Sequence, residues 1–372
     1  MVQKIIPIFV IYKGCPNRCV YCNERITAGD HPDRITEGLF RKIVDKHLKS
    51  FNKPEYIQIA FYGGNFTGMD RNYQTELLEF AESYIQKGLV NSIRISTRPD
   101  YIDEDRIELL KKYHVKTVEI GAQSMVDEVL NLSNRGHSSN DVRNAVGLLK
   151  KEGFETGIHL MVGLPGDTEE GFKYTVEESI KLHPHMVRIH PTIVFQGTAL
   201  EKSYQKGEYE PMSMADAIRL CKYALGKFEM ANIPVIRIGL QMTREMETEG
   251  SIIAGPHHPA FRSLVEGSIF LDMASELLKS AKPHREDATF SLNPKDVSDF
   301  RGMRNQNMAA LKERFDVTGI SIREDSKQKR GTLALVVNGK ISKLSKLQMS
   351  KSKVEIKSRS SNAKNVNYHS VF

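Results

Sequence analysis

Three cysteines in one short run near the N-terminus have the side chains and the spacing to hold an iron–sulfur cluster. The run is Cys15-Pro-Asn-Arg-Cys19-Val-Tyr-Cys22, a C-x3-C-x2-C pattern that follows an apolar, strand-like segment at 5–12. A four-iron cluster normally takes four thiolates. Three closely spaced cysteines would ligate three irons and leave the fourth open to a substrate or cofactor, which indicates chemistry as well as electron storage.

A zinc site and a disulfide are the alternatives for these cysteines. Zinc favours paired C-x2-C motifs with two further ligands, and His31 is the one nearby candidate for a Cys3His site. A disulfide requires an oxidising compartment. The fourth cysteine, Cys221, falls in the helical pattern of 216–225 and is expected to be buried. We expect a reducing, cytoplasmic setting, since Met1 leads directly into a strand without a signal peptide. We also expect little oxygen there, because a cluster with an open iron is easily oxidised.

The elements that must position these cysteines alternate between short β-branched runs and amphipathic helical patterns, as parallel βαβ units do. Predicted strands are 5–12, 56–62, 92–97, 117–121, 156–163 and 186–194, with a candidate seventh at 235–240. Predicted helices are 34–51, 70–89, 103–113, 139–152, 168–182 and 213–231. The pattern predicts an α/β fold, a partial or full parallel β/α (TIM-like) barrel with functional groups at the carboxyl ends of its strands.

Beyond the strands, the chain is expected to divide into three parts. Residues 1–280 would form the barrel domain with a following helix from about 260 to 280. Residues 281–340 would form a small α+β unit, with a polar connector to about residue 300, a helix near 304–314, and a hairpin of 318–322 with 332–337. Residues 341–372 read as a basic, disordered tail.

The basic character of the chain is concentrated at its C-terminal end. Residues 327–372 contain eleven Lys or Arg and one acidic residue, a net charge of +10, against +7 for the whole chain. The remaining residues therefore carry a net charge of about −3. A basic segment of this kind can contact RNA phosphates, although a charge run is more often simply solvated.

Two strand ends carry candidate cofactor-binding residues. Gly63 and Gly64 follow the second strand and let the backbone approach a ligand closely, with Asn65 next to them. Arg98 follows the third strand, where Pro99 favours an extended conformation. Arg98 could face a carboxylate at the barrel mouth or form a surface salt bridge with Asp100.

The later strands carry candidate catalytic and binding residues. Glu119 alternates with apolar residues and could point into the barrel, where a buried carboxylate needs a partner such as Arg98 or Arg188. A purely structural ion pair is the alternative for Glu119. His190 lies at the sixth strand's end and is a candidate for proton handling or a structural histidine. Gln123, with Ser124, at the rim and His159 on the fifth strand are assigned to cofactor binding.

The chain resembles the radical S-adenosylmethionine (SAM) enzymes through its cysteine spacing and the glycine pair. Its later segments resemble the radical SAM portion of the Elongator catalytic-subunit family over roughly residues 1–270. The segments that carry this resemblance are Ser96-Thr97-Arg98-Pro99-Asp100, Glu119-Ile120-Gly121-Ala122-Gln123-Ser124, Asn134-Arg135-Gly136-His137 and His190-Pro191-Thr192-Ile193-Val194-Phe195-Gln196-Gly197-Thr198.

The resemblance implies cofactors, partners and site residues. It implies a [4Fe–4S] cluster on Cys15, Cys19 and Cys22, whose open iron chelates SAM and splits it to a 5′-deoxyadenosyl radical. The SAM site would then include Tyr21, Gly63, Gly64, Asn65, Arg98, Gln123 and His159, with Glu119 and His190 as catalytic residues. The expected substrate is a nucleoside in transfer RNA or other RNA. The expected partner is a reducing electron-donor protein of the flavodoxin or ferredoxin type.

The sequence departs from the Elongator pattern in several respects. Asn65 stands where radical SAM enzymes often have Glu, and His190 stands where the Elongator family typically has Tyr. The first two cysteines are closer together than in that family. No acetyltransferase-like domain with an R-x-x-G-x-G segment follows Ser275, so the same acetyl-CoA reaction is not expected. Alternative functions are a coproporphyrinogen-oxidase-like enzyme on a small molecule and a non-catalytic cluster-binding or zinc-binding protein.

Overall fold

The chain folds into two compact units. The computed structural model describes residues 3–11, 13–29, 31–52 and 56–351. The first unit runs through Met1–Ala217 and Ile233–Pro259, and the second takes in Ile218–Asn232 and the chain from Ala260 onward. This division differs from the predicted boundary after residue 280, because the helix after Pro259 packs within the second unit.

The first unit is built on a parallel sheet of seven strands, with a separate pair of short strands. The nine strands of this unit are β1 (Gln3–Phe9), β2 (Tyr56–Tyr62), β3 (Ser92–Thr97), β4 (Val115–Gln123), β5 (Glu155–Val162), β6 (Met186–Pro191), β7 (Val194–Phe195), β8 (Val235–Ile238) and β9 (Ile252–Ala254). The large sheet has the order β1-β2-β3-β4-β5-β6-β8, and β7 pairs with β9 separately. The sequential order confirms the prediction of a partial β/α barrel, with β8 as its seventh strand.

Helices connect the strands of the first unit. They are α1 (Glu24–Ala28), α2 (Glu37–Ser50), α3 (Arg71–Gln86), α4 (Glu104–Lys112), α5 (Asp127–Leu132), α6 (Ser139–Lys151), α7 (Glu169–Lys181), α8 (Ala199–Gln205) and α9 (Met214–Met230). Side chains of Asp70, Asp103, Ser138 and Thr168 accept hydrogen bonds from the first turns of α3, α4, α6 and α7 and fix where these helices begin. The short α1, α5 and α8 were not predicted.

Neighbouring residues on one strand serve opposite faces of the sheet. Ile93 and Ile95 are fully buried core residues of β3, whereas Arg94 between them contacts polar side chains of other strands. Glu119 on β4 contacts Arg188 on β6 in the same way. The alternation along each strand thus separates an apolar layer from a polar interior.

The second unit joins helices to a four-stranded mixed sheet. From Ala260 onward it contains α10 (Phe261–Ala281), β10 (Glu286–Leu292), α11 (Val297–Arg301), α12 (Gln306–Arg314), β11 (Val317–Glu324), β12 (Thr332–Val337) and β13 (Lys340–Ser345). The sheet order is β11-β10-β12-β13. Cys221 lies in the part of α9 that belongs to this unit and is fully buried, as predicted.

Three predictions for the C-terminal region were wrong. The polar connector at 281–300 contains β10 and α11. The segments 318–322 and 332–337 do not form a hairpin, because β10 lies between β11 and β12. Residues 341–345 are not disordered, because β12 and β13 form a hairpin across Asn338 and Gly339, both with positive φ. The part of the predicted tail after residue 351 lies outside the described residues.

Candidate functional site at the carboxyl ends of the strands

The cysteine loop follows β1 and leads into α1. Cys15 is exposed, Cys22 is half-buried, Cys19 is buried, and all three are free thiols. The segment after α5 contacts this loop. The Val20 amide donates to the Ser133 carbonyl (3.2 Å), and the Asn134 side chain donates to the Arg18 carbonyl (2.8 Å). The predicted N-R-G-H segment therefore contributes to the loop's position.

The three thiols are electrostatically coupled. Burial raises the pKa of Cys22 well above its ordinary value, and the negative charges of Glu24, Cys19 and Cys15 raise it further. Three thiolates this close repel one another unless a cationic centre binds them. The donor set is therefore one that bound iron would stabilise in the deprotonated form.

Arg135 places a buried positive charge against these cysteines. Its Nη1 donates to the Cys19 sulfur at 3.1 Å and its Nη2 donates to the Gly121 carbonyl at 2.5 Å. The buried Nε has no hydrogen-bond partner among the described residues, nor has Nη1 of Arg98. Guanidinium groups beside thiolate sulfur compensate the negative charge of a thiolate-ligated cluster, and hydrogen bonds to sulfur also set its potential. These residues fit a [4Fe–4S] cluster.

The zinc alternative has less support in the geometry. In the part of the chain that the structure describes, no three His, Cys, Asp or Glu side chains converge on a point that could hold one metal ion. His31, the candidate fourth zinc ligand, bonds the Ala28 carbonyl at 2.9 Å and stacks on Phe9. A cluster lets each thiolate bind a different iron, so convergence on one point is not required.

The glycine pair is required by close packing beneath the cysteine loop. A β-carbon at Gly64 would collide with the carbonyl oxygens of Val10 and Lys13. Gly63 has φ +87°, in the left-handed region that favours glycine. The backbone packing explains both glycines, and their contact with SAM remains a prediction.

The Asn65 residue links the loop that follows β1 to the carboxyl end of β3 and to the residue after it. Its Nδ2 donates to the Gly14 carbonyl at 2.7 Å. Its Oδ1 accepts from the Thr97 hydroxyl at 2.6 Å and from the Arg98 amide at 3.1 Å. The backbone N–H of Asn65 donates to the Lys13 carbonyl at 2.9 Å. These contacts give Asn65 a structural role, because its side chain is buried and already bonded at both ends.

Arg98 combines features of both sequence interpretations. Its Nε and Nη2 bind the two Asp100 oxygens at 3.0 and 2.8 Å, which is the predicted alternative of a salt bridge. The side chain is only 3% exposed, so the pair is not a surface one. Arg98 does not bind Glu119. Its remaining Nη1 is the group left for a ligand.

Glu119 lies at the centre of a buried polar network. Arg94 Nη1 donates to one carboxylate oxygen at 2.7 Å, and Arg188 pairs with both oxygens at 2.9 Å. The Tyr62 hydroxyl and His159 Nε2 complete the shell at 3.0 and 2.5 Å. Arg188 confirms one predicted partner of Glu119. Arg94 was not predicted, although its place between Ile93 and Ile95 marks it as an inward-facing charge.

The electrostatics of the network keep Glu119 ionised at neutral pH. Burial alone would raise its pKa, but Arg188, His159 and Arg94 together hold the pKa well below the usual carboxyl range. Burial and the neighbouring Glu119 charge raise the pKa of Tyr62 to about 12. Glu119 is fully buried. The predicted catalytic contact of Glu119 with substrate is therefore not supported, because the donors of its own network surround it.

Burial keeps the imidazole rings of His159 and His190 neutral. Burial lowers the pKa of His159 more than Glu119 raises it, and burial with nearby positive charge lowers the pKa of His190 to about 3. His190 Nδ1 contacts the Gly239 carbonyl at 3.1 Å. A carbonyl only accepts, so Nδ1 carries the proton and Nε2 keeps a lone pair. The two rings lie 6.0 Å apart in an edge-to-face arrangement.

The remaining predicted site residues lie around the same mouth. Gln123 ends β4 with φ +68°, beside a break in the β4–β5 register. Ser124 is buried and bonded to Thr175, which indicates a structural role. Tyr21 has a buried hydroxyl, and burial raises its pKa well above the ordinary value despite the opposing charge of Arg135.

Comparison with known proteins identifies matching families and relatives. A family model described as "Radical SAM superfamily" matches residues 9–178, and one described as "Radical_SAM C-terminal domain" matches residues 184–269. The tRNA uridine(34) acetyltransferase of Methanocaldococcus infernus is 30% identical over 259 residues, which is 59% of this chain and 48% of that protein. An uncharacterised protein of Methanocaldococcus jannaschii is 30% identical, with 59% of this chain and 70% of the relative covered.

One solved structure supports the fold. The archaeal Methanocaldococcus infernus Elp3 with an N-terminal deletion matches with a TM-score of 0.55 and 23% identity, covering 75% of this chain and 63% of that one. The chain spans about half the length of the tRNA uridine(34) acetyltransferases that it matches. Among the described residues, no helix combines the length and apolarity needed to cross a bilayer.

Proposed function

Because the chain belongs to the radical SAM superfamily, whose members use a [4Fe–4S] cluster and SAM, we propose that it uses a SAM-derived radical to modify a nucleoside in transfer RNA. The observation that carries the proposal is the cysteine triad beside Arg135 at the mouth of a parallel half-barrel. The names of its relatives make uridine 34 the first nucleoside to inspect.

Cys15, Cys19 and Cys22 would hold the cluster as thiolates. When bound, a [4Fe–4S] cluster with an open iron supplies the electron that splits SAM into methionine and a 5′-deoxyadenosyl radical. Arg135 donates a hydrogen bond to the Cys19 sulfur at 3.1 Å, and its positive charge would offset the negative charge of the cluster-bound thiolates. A reducing protein of the flavodoxin or ferredoxin type is the proposed electron source.

The SAM contacts are proposed for the groups that border this loop. Arg98 Nη1 and Arg135 Nε are buried donors without partners among the described residues, and both suit the carboxylate of SAM. Tyr21, the Gly63–Gly64 backbone, Gln123 and His159 remain proposed cofactor contacts. We assign Asn65 to loop positioning instead, on the basis of its four hydrogen bonds.

His190 and Glu119 receive different proposed roles. His190 Nε2 is neutral near pH 7 and keeps a lone pair, so it is proposed to accept a hydrogen bond from the substrate. Glu119 acts as a positioning residue that fixes Arg188 and His159. This division follows from exposure, since His190 is partly accessible and Glu119 is fully buried.

The proposed function is tested by comparing modified nucleosides in total transfer RNA. We expect one modified uridine to disappear when the gene is deleted, to return with the wild-type gene, and not to return with Cys15, Cys19 and Cys22 all changed to Ala. Purified anaerobic protein should release 5′-deoxyadenosine from SAM after reduction. Intact SAM cleavage with unchanged transfer RNA nucleosides would contradict the RNA substrate and favour the small-molecule alternative.

The basic C-terminal region is proposed to strengthen RNA binding. Lys340 and Lys343 are exposed on β13, an edge strand, where lysines also discourage strand pairing between molecules. Arg330 and Lys346 are paired with Asp296 and Glu266. The cations available to RNA are therefore fewer than the eleven in the sequence suggest.

Truncation after Lys351 tests this proposal without removing β13. The deleted residues 352–372 carry four Lys or Arg and one Glu. We expect weaker transfer RNA binding and a salt dependence lowered by roughly one to three units of slope, because fewer counterions are released. SAM cleavage should be unchanged. Equal affinity and equal salt dependence for both proteins, measured by filter binding from 50 to 200 mM salt, would contradict this role for the tail.

A further inference from the structure

The Glu119 network contains more positive charge than its carboxylate can balance. Arg94 and Arg188 bind the Glu119 carboxylate, and Arg237 lies near enough to interact electrostatically with Glu119 and Arg188. Burial keeps both His159 and His190 neutral. Three guanidinium groups therefore share one buried anion.

Arg237 is the unbalanced member of this set. It lies directly across from Arg188 in the β6–β8 register. The Arg237 side chain is half-buried, yet its guanidinium forms no hydrogen bond or ion pair with any residue in the described part of the chain. Two like charges facing each other across paired strands are unfavourable without a bridging anion.

The unbalanced charge lies on the accessible side of the network. Arg94 and Glu119 are 2% and 0% exposed, whereas Arg188 and His159 are each 15% exposed. Arg237 is the penultimate residue of β8, close to its carboxyl end. A group that enters from the mouth would meet Arg188 and Arg237 before it met Glu119.

We propose that Arg188 and Arg237 form an oxyanion subsite that binds a carboxylate or phosphate group of the substrate or a co-substrate, distinct from SAM. Arg188 is held in place by Glu119 and by its bond to the Tyr62 hydroxyl at 2.8 Å, so its remaining donors are preorganised. Arg237 supplies a second guanidinium with every donor available to a ligand. The inference rests on the proposed function only in taking the ligand to be a substrate.

The subsite is tested on full-length, cluster-reconstituted protein by thermal unfolding in inorganic phosphate and in acetate, with chloride at equal ionic strength as the reference. A saturable rise of roughly 2–3 °C in the unfolding midpoint is expected with at least one oxyanion. Arg237→Gln should weaken that apparent affinity about 10- to 100-fold. Arg237→Lys keeps the positive charge but not the planar guanidinium that can donate two parallel hydrogen bonds, so it should retain part of the oxyanion affinity.

Two controls decide what the result means. Arg323→Gln removes an exposed arginine on β11 and should leave the oxyanion effect unchanged. Saturating SAM should not abolish the effect. The proposal would be overturned by any of three results: no oxyanion-specific shift of the unfolding midpoint in the wild-type protein, an equal shift in Arg237→Gln, or competition by SAM. The release of 5′-deoxyadenosine is measured separately and tests the proposed function.

The source of the oxyanion is distinguished by transfer RNA binding. If the group is an RNA phosphate, Arg237→Gln should weaken transfer RNA binding and reduce the slope of its salt dependence by about one. If the group belongs to a small co-substrate, transfer RNA affinity should match that of Arg323→Gln while the oxyanion shift is lost. Either result supports the subsite.

Discussion

Changing Cys19 to Ala should remove the iron of anaerobically reconstituted protein and abolish the release of 5′-deoxyadenosine from SAM. Cys19 is the buried member of the triad and the one that Arg135 contacts. Its loss leaves two thiols, too few for a cluster that must keep one iron open for SAM. Iron and sulfide content, the broad visible absorbance of the cluster and nucleoside release are measured on the same sample.

Cys221→Ala is the matched control for this experiment. Cys221 is fully buried in α9, and burial raises the pKa of its thiol to about 12, which keeps it protonated and a poor metal ligand. The variant should retain its iron and its SAM cleavage. Equal iron loss in the Cys19 and Cys221 variants would show that the cluster assignment is wrong.

Glu119→Gln should destabilise the protein by about 3–5 kcal/mol, the effect of breaking a buried ion pair from one side. The variant keeps the shape of the side chain but leaves Arg94 and Arg188 without their counter-charge. The measurement is the midpoint of urea unfolding under anaerobic conditions. Glu152→Gln breaks the surface pair with Lys111 and should lower the urea midpoint far less, because solvent screens an exposed pair.

The acid limb of unfolding gives a second readout for Glu119. Its pKa in the folded state is lowered, so its contribution is present above the ordinary carboxyl value of 4.5 and is lost as the pH falls below that value. Stability of Glu119→Gln should depend less on pH in this range than stability of the wild type. Adding Arg94→Met to Glu119→Gln should recover part of the lost stability, and equal midpoints for Glu119→Gln and Glu152→Gln would refute the role of the network.

Sequence patterns predicted the elements better than the contacts between them. Alternation of apolar and charged residues on single strands was enough to place Glu119 inside the barrel and to suggest Arg188. It could not show that Arg94 and His159 reach the same carboxylate, because that depends on register across three strands. The partners of Asn65 come from β1's loop and the end of β3, more than 30 positions away for Thr97.

The errors in the C-terminal region arose where one sequence pattern favoured the observed structure and a second pattern favoured another. Asn338-Gly339 is a strong hairpin signal, yet the lysines and serines that follow resemble a disordered segment. Pairing of β12 with β13 buries Leu333 and Leu335, which favours the strand over a solvated tail. For β11 and β12, closeness in sequence suggested a hairpin, whereas β10 pairs with both strands and lies between them.

The bonds of Asn65 have a consequence for how the cysteine loop responds when a cluster is lost. Fixing the backbone of one residue costs about 1–2 kcal/mol of conformational entropy. Binding of one cluster by three thiolates requires the residues of the loop to be ordered at this cost. Asn65 holds Lys13 and Gly14 at the loop's entrance through contacts that contain no cysteine. We therefore expect folding of the barrel to order the entrance of the loop before a cluster binds, and a protein that has lost its cluster to oxygen to keep this part of the loop ordered.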